Sequence, residues 1–351
     1  MVQDTIPMRS GEELNIKKLE MFLHANLKSL PEGNLVVRQF GTGHSNLTYV
    51  LTIGEWEAVL RRPPLGPVAE KAHDMEREFK VLSSLHPVFP VAPKPIIYSD
   101  DMTIIGSTFF IMERRLGVVL DTEFPEGTTD LVMMARKVSE LMVDQLVALH
   151  AVDYKKTALT GMVKPDGFME RQVRGWISRY DKAKTSDIKE VNELTTWLIE
   201  HIPQSSESTI IHYDYKLNNA MFSKEYEEMV GLFDWEMTTV GDPLADVGVA
   251  LSYWMHVDDP TMMLYGLGEP PITVKEGFYS RQEFIARYAE KSGRDVSNIH
   301  YYLTFAYFKL AVICQQIYYR YYNGQTKDTR FAHMGDFSKV LIKQAFKSTE
   351  K

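Results

Sequence analysis

The sequence predicts an α+β protein in which a small β-rich N-terminal lobe is followed by a larger, mostly helical C-terminal lobe. Up to about residue 115, short β-branched and aromatic runs alternate with turns and with one helical stretch. After Leu116-Gly117 the apolar residues recur at helical spacing over most of the chain. We therefore divide the chain into an N-terminal helical segment at 1–30, an N-terminal lobe at 31–115 and a C-terminal lobe at 116–351.

The N-terminal part begins with a helical pattern and then changes to strands. Apolar residues recur near helical spacing from Glu12 to Leu30, which predicts a helix. Short β-branched or aromatic runs follow, and they are bounded by glycine and proline as strands are. The predicted strands cover 35–41, 47–53, 56–61, 94–98 and 107–113, and one helix covers about 69–85. The order is strand, strand, strand, helix, strand, strand.

The C-terminal part is helical except around one polar loop. The predicted helices cover 129–150, 168–180, 187–201 and most of the chain after 246, and two short predicted strands cover 209–212 and 229–234. The stretch 301–322 is long enough to span a bilayer. Its Lys309, Arg320 and two glutamines favour a buried core helix instead.

Composition and charge exclude several classes of protein. The chain has 351 residues, 44% hydrophobic and 25% charged, so wholesale disorder is excluded. Its one cysteine, Cys314, can form neither an intramolecular disulfide nor a cysteine-rich metal site. The net charge of −8 argues against a nucleic-acid partner, which needs a concentrated basic surface. The first residues lack the features of a signal peptide, so we expect a cytoplasmic protein without a membrane partner.

The densest polar cluster lies around the predicted strand pair of the C-terminal part. It reads His212-Tyr-Asp-Tyr-Lys-Leu-Asn-Asn219 and is followed by Asp234-Trp-Glu236. The two apolar runs are expected to bring Asp214, Asn219 and Asp234 to one end. The amide oxygen of Asn219 and the carboxylate of Asp234 form an oxygen-only donor set that suits Mg²⁺. Asp214 is then left to accept a proton from a hydroxyl group.

These motifs resemble those of a known family. The pattern His-x-Asp214-x-x-x-x-Asn219, followed by Asp234-Trp-Glu, is similar to the catalytic loop and metal-binding aspartate of the aminoglycoside phosphotransferase and choline-kinase-like enzymes. The runs 59–64 and 241–248 are similar to the branch whose kinase domain is fused, in animals, to acyl-CoA dehydrogenases. The resemblance covers nearly the whole chain. It implies the protein-kinase-like bilobal fold, an enzyme that uses ATP and Mg²⁺, and a shared cleft between the lobes.

The resemblance also implies roles for the residues of the catalytic segment. Asp214 is the expected catalytic base, and Asn219 and Asp234 are the expected Mg²⁺ ligands. The residues expected to brace this segment rather than react are His212, Asp242 and Asp246.

Further residues are implied as nucleotide contacts. Arg61 occupies the place where the third strand of a kinase offers a lysine to the phosphates. Glu78 is its expected ion-pair partner, and Glu76 is the alternative. The remaining implied contacts are Gly41, Gly43 and Ser45 in the phosphate-covering loop and Glu113 and Arg114 in the hinge that binds adenine.

Two residues depart from the family pattern. Tyr213 stands where the family has glycine, and a backbone conformation with positive φ is therefore not expected there. Arg61 replaces a lysine, which keeps the charge but changes the hydrogen-bonding geometry at a phosphate site.

Several functions remain open at the level of sequence. The main interpretation is a phosphotransferase that acts on a hydroxyl group of a small molecule, with a hydroxyacyl or hydroxyacyl-CoA compound or an aminoglycoside as the acceptor. A basic run, Arg171 to Lys184, could contact the phosphates of a CoA thioester, although a solvated helix face explains it equally well. The alternatives are a catalytically idle nucleotide-binding module and a metal-dependent hydrolase. Oligomeric state is not indicated.

Overall fold

The computed structural model describes residues 5–41, 46–65, 73–204, 207–266, 268–326 and 328–350. The chain divides into two compact units. The first comprises the described residues up to Leu116 together with Val230–Glu236, and the second comprises Gly117–Met229 and the residues from Met237 onward. The predicted α+β class is confirmed, with a sheet in the first unit and a mostly helical second unit.

The first unit is built around an antiparallel sheet. Its strands are β1 (Thr5–Ile6), β2 (Val36–Phe40), β3 (Leu47–Ile53), β4 (Trp56–Arg62), β5 (Pro95–Ser99) and β6 (Phe109–Glu113), and its helices are α1 (Ile16–Asn26), α2 (Met75–Leu85) and α3 (Met102–Ile105). The described strands pair in the order β1-β2-β3-β4-β6-β5. The strands and the helix predicted between the third and fourth strands are confirmed. The predicted start of that helix, before His73, lies outside the described residues.

The position of β4 inside the sheet sets the surroundings of Arg61. Arg61 pairs with Thr48 on β3 and with Phe110 on β6, so it has a strand on each side. The core of this unit joins the sheet to α1, because Leu19 and Leu23 of α1 are fully buried in one cluster with residues of the strands. Arg61 therefore extends from a strand in the interior of the sheet.

Local capping explains where the first unit differs from the predicted elements. The helix predicted from Glu12 begins only at Ile16, because the Asn15 side chain accepts a hydrogen bond from the Lys18 backbone and caps the first turn. The short helix α3, between β5 and β6, is not among the predicted elements. Asp101 caps it, and Gly106, with φ of 81°, ends it.

The second unit is dominated by helices. They are α4 (Leu131–His150), α5 (Phe168–Ala183), α6 (Val191–Glu200), α7 (Pro243–Tyr253), α8 (Thr261–Tyr265), α9 (Arg281–Ser292), α10 (Ile299–Tyr322) and α11 (Met334–Ser348). The short strands are β7 (Val118–Val119), β8 (Thr209–Ile211), β9 (Ala220–Phe222), β10 (Met229–Leu232), whose last three residues belong to the first unit, and β11 (Thr239–Gly241). β8 pairs antiparallel with β11, and α7 begins directly after β11. This connection brings the first turn of α7 next to the loop that follows β8.

α10 is a buried helix, as its sequence predicts. Phe305, Phe308, Ala311 and Val312 are fully buried. The buried glycine Gly248 of α7 faces this helix, where a Cβ atom would lie 2.6 Å from the carbonyl oxygen of Tyr302. None of the helices in the described ranges has both the length and the apolar character required to cross a membrane.

Two helical glycines should respond oppositely to the same substitution. Gly248→Ala should destabilise the protein by about 1–3 kcal/mol, because the methyl group collides with α10 backbone that cannot move aside. Gly175→Ala, in α5, is the matched control. There the nearest atom is a terminal nitrogen of the Arg179 side chain at 3.5 Å, so the better helix propensity of alanine should stabilise by about 0.5–1 kcal/mol. Urea unfolding of both variants measures the difference, and equal effects of the same sign would contradict the packing described.

Candidate active site

Arg61 lies at the centre of a buried ionic cluster in the first unit. Its Nε is 3.2 Å from Glu78 Oε2, and its Nη2 is 2.5 Å from Asp234 Oδ1. The exposed fraction is 6% for the Arg61 side chain and 2% for that of Glu78, but 27% for that of Asp234. Asp234 is therefore the most exposed of these three side chains. The sequence left Glu76 open as the partner of Arg61, but Glu76 is exposed and pairs with Lys80 at 2.6 Å.

The carboxylate of Glu236 extends this cluster to residues that the sequence analysis did not single out. Glu236 Oε2 lies 3.9 Å from Arg61 Nη2 and accepts a hydrogen bond of 2.9 Å from Asn46 Nδ2. The Asn46 Oδ1 atom in turn lies 2.9 Å from His73 Nδ1. Arg77 donates to the Glu236 backbone carbonyl at 2.8 Å. Only the motif Asp234-Trp-Glu236 could have pointed to this network, because its other members are far apart in sequence.

Burial and the neighbouring charges shift the pKa values of this cluster in opposite directions. Burial raises the pKa of Glu78 to about 7, although the Arg61 guanidinium opposes the shift. Burial alone lowers the pKa of Arg61, but the carboxylates of Asp234, Glu78 and Glu236 outweigh it and raise the pKa. Arg61 therefore remains charged, and Glu78 is the group of the pair that can titrate near neutral pH.

Asp214 lies at the centre of a second polar cluster, in the loop after β8. Its Oδ2 is 3.0 Å from Lys216 Nζ and accepts a hydrogen bond of 3.1 Å from Asn219 Nδ2. The same Asn219 nitrogen donates to the Asp214 backbone carbonyl at 3.0 Å. Because the amide nitrogen points toward Asp214, the amide oxygen of Asn219 points away from it. Lys216 was not singled out from the sequence, although it stands only two residues after Asp214.

The expectation that Tyr213 avoids positive φ is wrong. Tyr213 has φ of 66° and lies in the left-handed region despite its large side chain. Its backbone N–H donates to Asp246 Oδ1 and that of His212 donates to Asp246 Oδ2, each at 2.7 Å. Two short bonds to a buried carboxylate outweigh the local preference of a tyrosine.

The expected bracing residues are buried beneath this loop. His212 is fully buried, and its Nδ1 lies 3.3 Å from the backbone nitrogen of Asp214. Asp246 lies 3.2 Å from Nε2 of the buried His150. Asp242 caps α7 through the Leu244 backbone N–H and accepts a hydrogen bond of 2.6 Å from the hydroxyl of Tyr302.

Three of the remaining predicted nucleotide contacts, Gly41, Glu113 and Arg114, lie at the ends of strands in the first unit. The Glu113 backbone N–H donates to the Lys94 carbonyl at 2.9 Å, so this N–H is already used within the fold. Arg114 pairs with Glu57 at 2.8 Å. Gly41 follows β2, and its carbonyl accepts a hydrogen bond from Arg9. Gly43 and Ser45 lie outside the described residues.

Glu78→Gln should change how stability depends on pH. Burial raises the pKa of Glu78 to about 7 in the folded protein, whereas the ordinary pKa of this carboxyl group is 4.5. Between these two pH values the folded state therefore binds more protons than the unfolded state. Glu78 therefore contributes its full stabilisation below the pKa that it has in the unfolded chain. This contribution is lost as the pH rises through the pKa that Glu78 has in the folded protein. Between about pH 5 and about pH 8, wild type should lose about 1–3 kcal/mol relative to Glu78→Gln.

Urea unfolding of both proteins at the two pH values measures this difference. Glu76→Gln, on the exposed side of α2, is the matched control and should show a smaller change. A wild type that gains stability relative to Glu78→Gln as the pH rises would contradict the assignment.

Comparison with known proteins places this geometry in a family. The model of the phosphotransferase enzyme family matches residues 36–268. The chain is 32% identical over 358 residues to acyl-CoA dehydrogenase family member 11 of Gallus gallus, covering 99% of this chain and 44% of that protein. The chain thus spans less than half the length of the curated relatives it matches.

Solved structures share the fold. A Ralstonia eutropha protein assigned to the aminoglycoside phosphotransferases superposes with a TM-score of 0.80 at 25% identity, over 96% of this chain and 99% of that one. A thermostable mutant of the aminoglycoside phosphotransferase APH(4)-Ia, in a ternary complex with ADP and hygromycin B, gives a TM-score of 0.58 at 14% identity, over 95% of this chain and 99% of that one. The chain belongs to the phosphotransferase enzyme family of aminoglycoside phosphotransferase and choline-kinase-like proteins, and it has their protein-kinase-like fold.

Proposed function

We propose that this protein transfers the γ-phosphoryl group of ATP to a hydroxyl group of a small molecule, with Mg²⁺ as its metal cofactor. The observation that carries the proposal is the Asp214 cluster. The Asp214 carboxylate is 17% exposed and is oriented by Lys216 and Asn219, so it can meet a solvent-borne hydroxyl group while its own position stays fixed. Family membership supports a phosphotransferase, and the bound ADP of a structural relative supports a nucleotide donor.

The reaction follows from the chemistry of these groups. The acceptor oxygen forms a bond to the γ-phosphorus as the bond from that phosphorus to the bridging oxygen of ADP breaks. The proton of the acceptor hydroxyl passes to the carboxylate of Asp214, which acts as the general base. Lys216 keeps that carboxylate in place through their 3.0 Å ion pair and adds a positive charge beside it.

The donor sets of the two clusters fit the proposed metal and nucleotide. Asn219 and Asp234 would hold Mg²⁺ through oxygen atoms, which is the donor type that this ion prefers. When bound, Mg²⁺ neutralises charge on the phosphate oxygens. Arg61 offers a guanidinium to the phosphates, and Glu78 keeps that side chain in position through their 3.2 Å ion pair. The segment from Glu113 and Arg114 would contact adenine, and the loop from Gly41 would cover the phosphates.

For the acceptor we propose a hydroxyacyl compound, free or as its CoA thioester. The support is the likeness to proteins named as acyl-CoA dehydrogenase family members. The basic run on α5 adds little to this proposal, because Arg174 pairs with Glu170 at 3.0 Å and Lys184 with Asp181 at 3.7 Å. An aminoglycoside acceptor is the second candidate, favoured by the hygromycin B bound to a structural relative. A screen with γ-labelled ATP against hydroxyacyl-CoA compounds, free hydroxy acids and aminoglycosides separates these acceptors.

Asp214→Ala tests the proposed chemistry. Removal of the general base should lower kcat by at least about a hundredfold. Binding of Mg²⁺-ATP should stay within about threefold of wild type, because Asp214 is not a proposed nucleotide contact. Transfer of label to the acceptor measures turnover, and a thermal-shift titration measures binding.

Asp181→Ala, which removes an exposed carboxylate of α5, is the control and should leave both quantities unchanged. Wild-type turnover in a folded Asp214→Ala variant would refute the mechanism. Binding of Mg²⁺-ATP by wild type without transfer to any acceptor would favour the idle nucleotide-binding module instead.

A further inference from the structure

The backbone conformation of Tyr213 carries a cost that the surrounding structure has to offset. A bulky residue in the left-handed region is disfavoured because its Cβ crowds the neighbouring backbone, and glycine avoids this penalty. Tyr213 immediately precedes Asp214, so the peptide between them fixes where the Asp214 side chain points. Asn219 donates to both the carbonyl and the carboxylate of Asp214, so the residue that this peptide positions is also held from its other side.

Each polar group of the Tyr213 backbone has a charged partner. The N–H donates to the carboxylate of Asp246 at 2.7 Å, and the carbonyl accepts a hydrogen bond of 2.8 Å from Nζ of Lys309. The same Nζ lies 4.1 Å from the centroid of the Tyr213 ring, which is within the range of a cation–π interaction. Lys309 thus contacts both the carbonyl and the ring of this residue.

Lys309 is an unusual residue for its place in the fold. It lies within the buried part of α10 and is only 2% exposed, and a lysine is seldom buried unless its charge is compensated. Burial lowers the pKa of Lys309 to about 8, while the carboxylates of Asp214 and Asp246 oppose the shift and Lys216 and Arg179 reinforce it. A buried methionine would fill the same space without this penalty. A need for the ammonium group explains why a lysine stands here.

We propose that Lys309 is a positioning residue of the catalytic loop, and that its ammonium group holds the carbonyl of Tyr213 and thereby fixes the peptide that leads into Asp214. Lys309 acts through this peptide. The proposal that Lys309 affects catalysis rests on the proposed function, whereas the proposal that it holds the loop in place does not.

Hydrogen exchange of the intact protein tests the proposal without requiring turnover. Lys309→Met keeps the length and apolar stem of the side chain but removes the ammonium group. Exchange of the backbone amides in 212–215 should accelerate by about tenfold or more, because a hydrogen bond to a charged group is lost from the loop. Lys309→Arg keeps a cation and N–H donors and should stay within about threefold of wild type.

Gln315→Leu is the matched control on the same helix. Gln315 is also buried and also donates to a backbone carbonyl, that of Ala183, at 2.9 Å. Its loss should accelerate exchange around 183–185 and leave 212–215 unchanged. Where Lys309→Met does not fold, Lys309→Gln removes the charge while keeping a polar side chain, and the same acceleration is expected.

The outcomes separate positioning from packing. Unchanged exchange at 212–215 in the uncharged variant would overturn the proposal, as would equal acceleration in Lys309→Arg or in Gln315→Leu. With an acceptor in hand, Lys309→Met should lower kcat about tenfold with KM for ATP within about twofold, and Gln315→Leu should leave kcat within about twofold. A wild type that transfers no phosphate would refute the proposed function and leave the exchange result standing.

Discussion

The buried carboxylate of Asp246 holds the backbone that leads into Asp214. Its side chain has no exposed surface, and it accepts hydrogen bonds from the backbone of both His212 and Tyr213. Burial alone would raise the pKa of Asp246, but the hydrogen bond and charge of His150 outweigh it and lower the pKa. Asp246 therefore stays ionised, and a charged acceptor can hold two backbone donors more strongly than a neutral one. The left-handed Tyr213 follows from this constraint.

Neighbouring carboxylates also account for the arginine on β4, Arg61. A lysine ammonium is a compact point charge, whereas the planar guanidinium of Arg61 presents several donors at fixed angles. Arg61 directs different nitrogens to Glu78 and Asp234, with Glu236 at the edge of the same cluster. The arginine that replaces the family lysine thus lies among three carboxylates, and the acidic third residue of the Asp234-Trp-Glu236 motif supplies one of them.

The sequence predicts the parts of this protein that depend on local pattern. The strand Leu47–Ile53 is found with the predicted bounds, because its β-branched and apolar residues favour a strand and a glycine turn follows directly. The position of α10 as a buried helix also follows from its composition. The start of α1 and the presence of α3 depend on single capping side chains. The spacing of apolar residues along the sequence does not reveal these caps.

The sequence predicts only those residues of the candidate site that belong to a recognisable motif. Asp214, Asn219 and Asp234 stand at recognisable intervals, so the resemblance identifies them. Lys309 stands 96 residues from the carbonyl that it contacts, and no local pattern indicates that contact. The conformation of Tyr213 was predicted wrongly because a residue's own preference was applied where long-range hydrogen bonds decide the outcome.

Phosphorus NMR of the reaction with ATP, Mg²⁺ and a hydroxyacyl-CoA acceptor tests the central claim most directly. The account predicts that the γ-phosphate signal of ATP is replaced by that of a phosphate monoester whose phosphorus couples to the proton on the carbinol carbon, and that ADP forms in equal amount. The same mixture with Asp214→Ala should keep its ATP. Release of inorganic phosphate alone, or formation of the ester by Asp214→Ala at the wild-type rate, would contradict it.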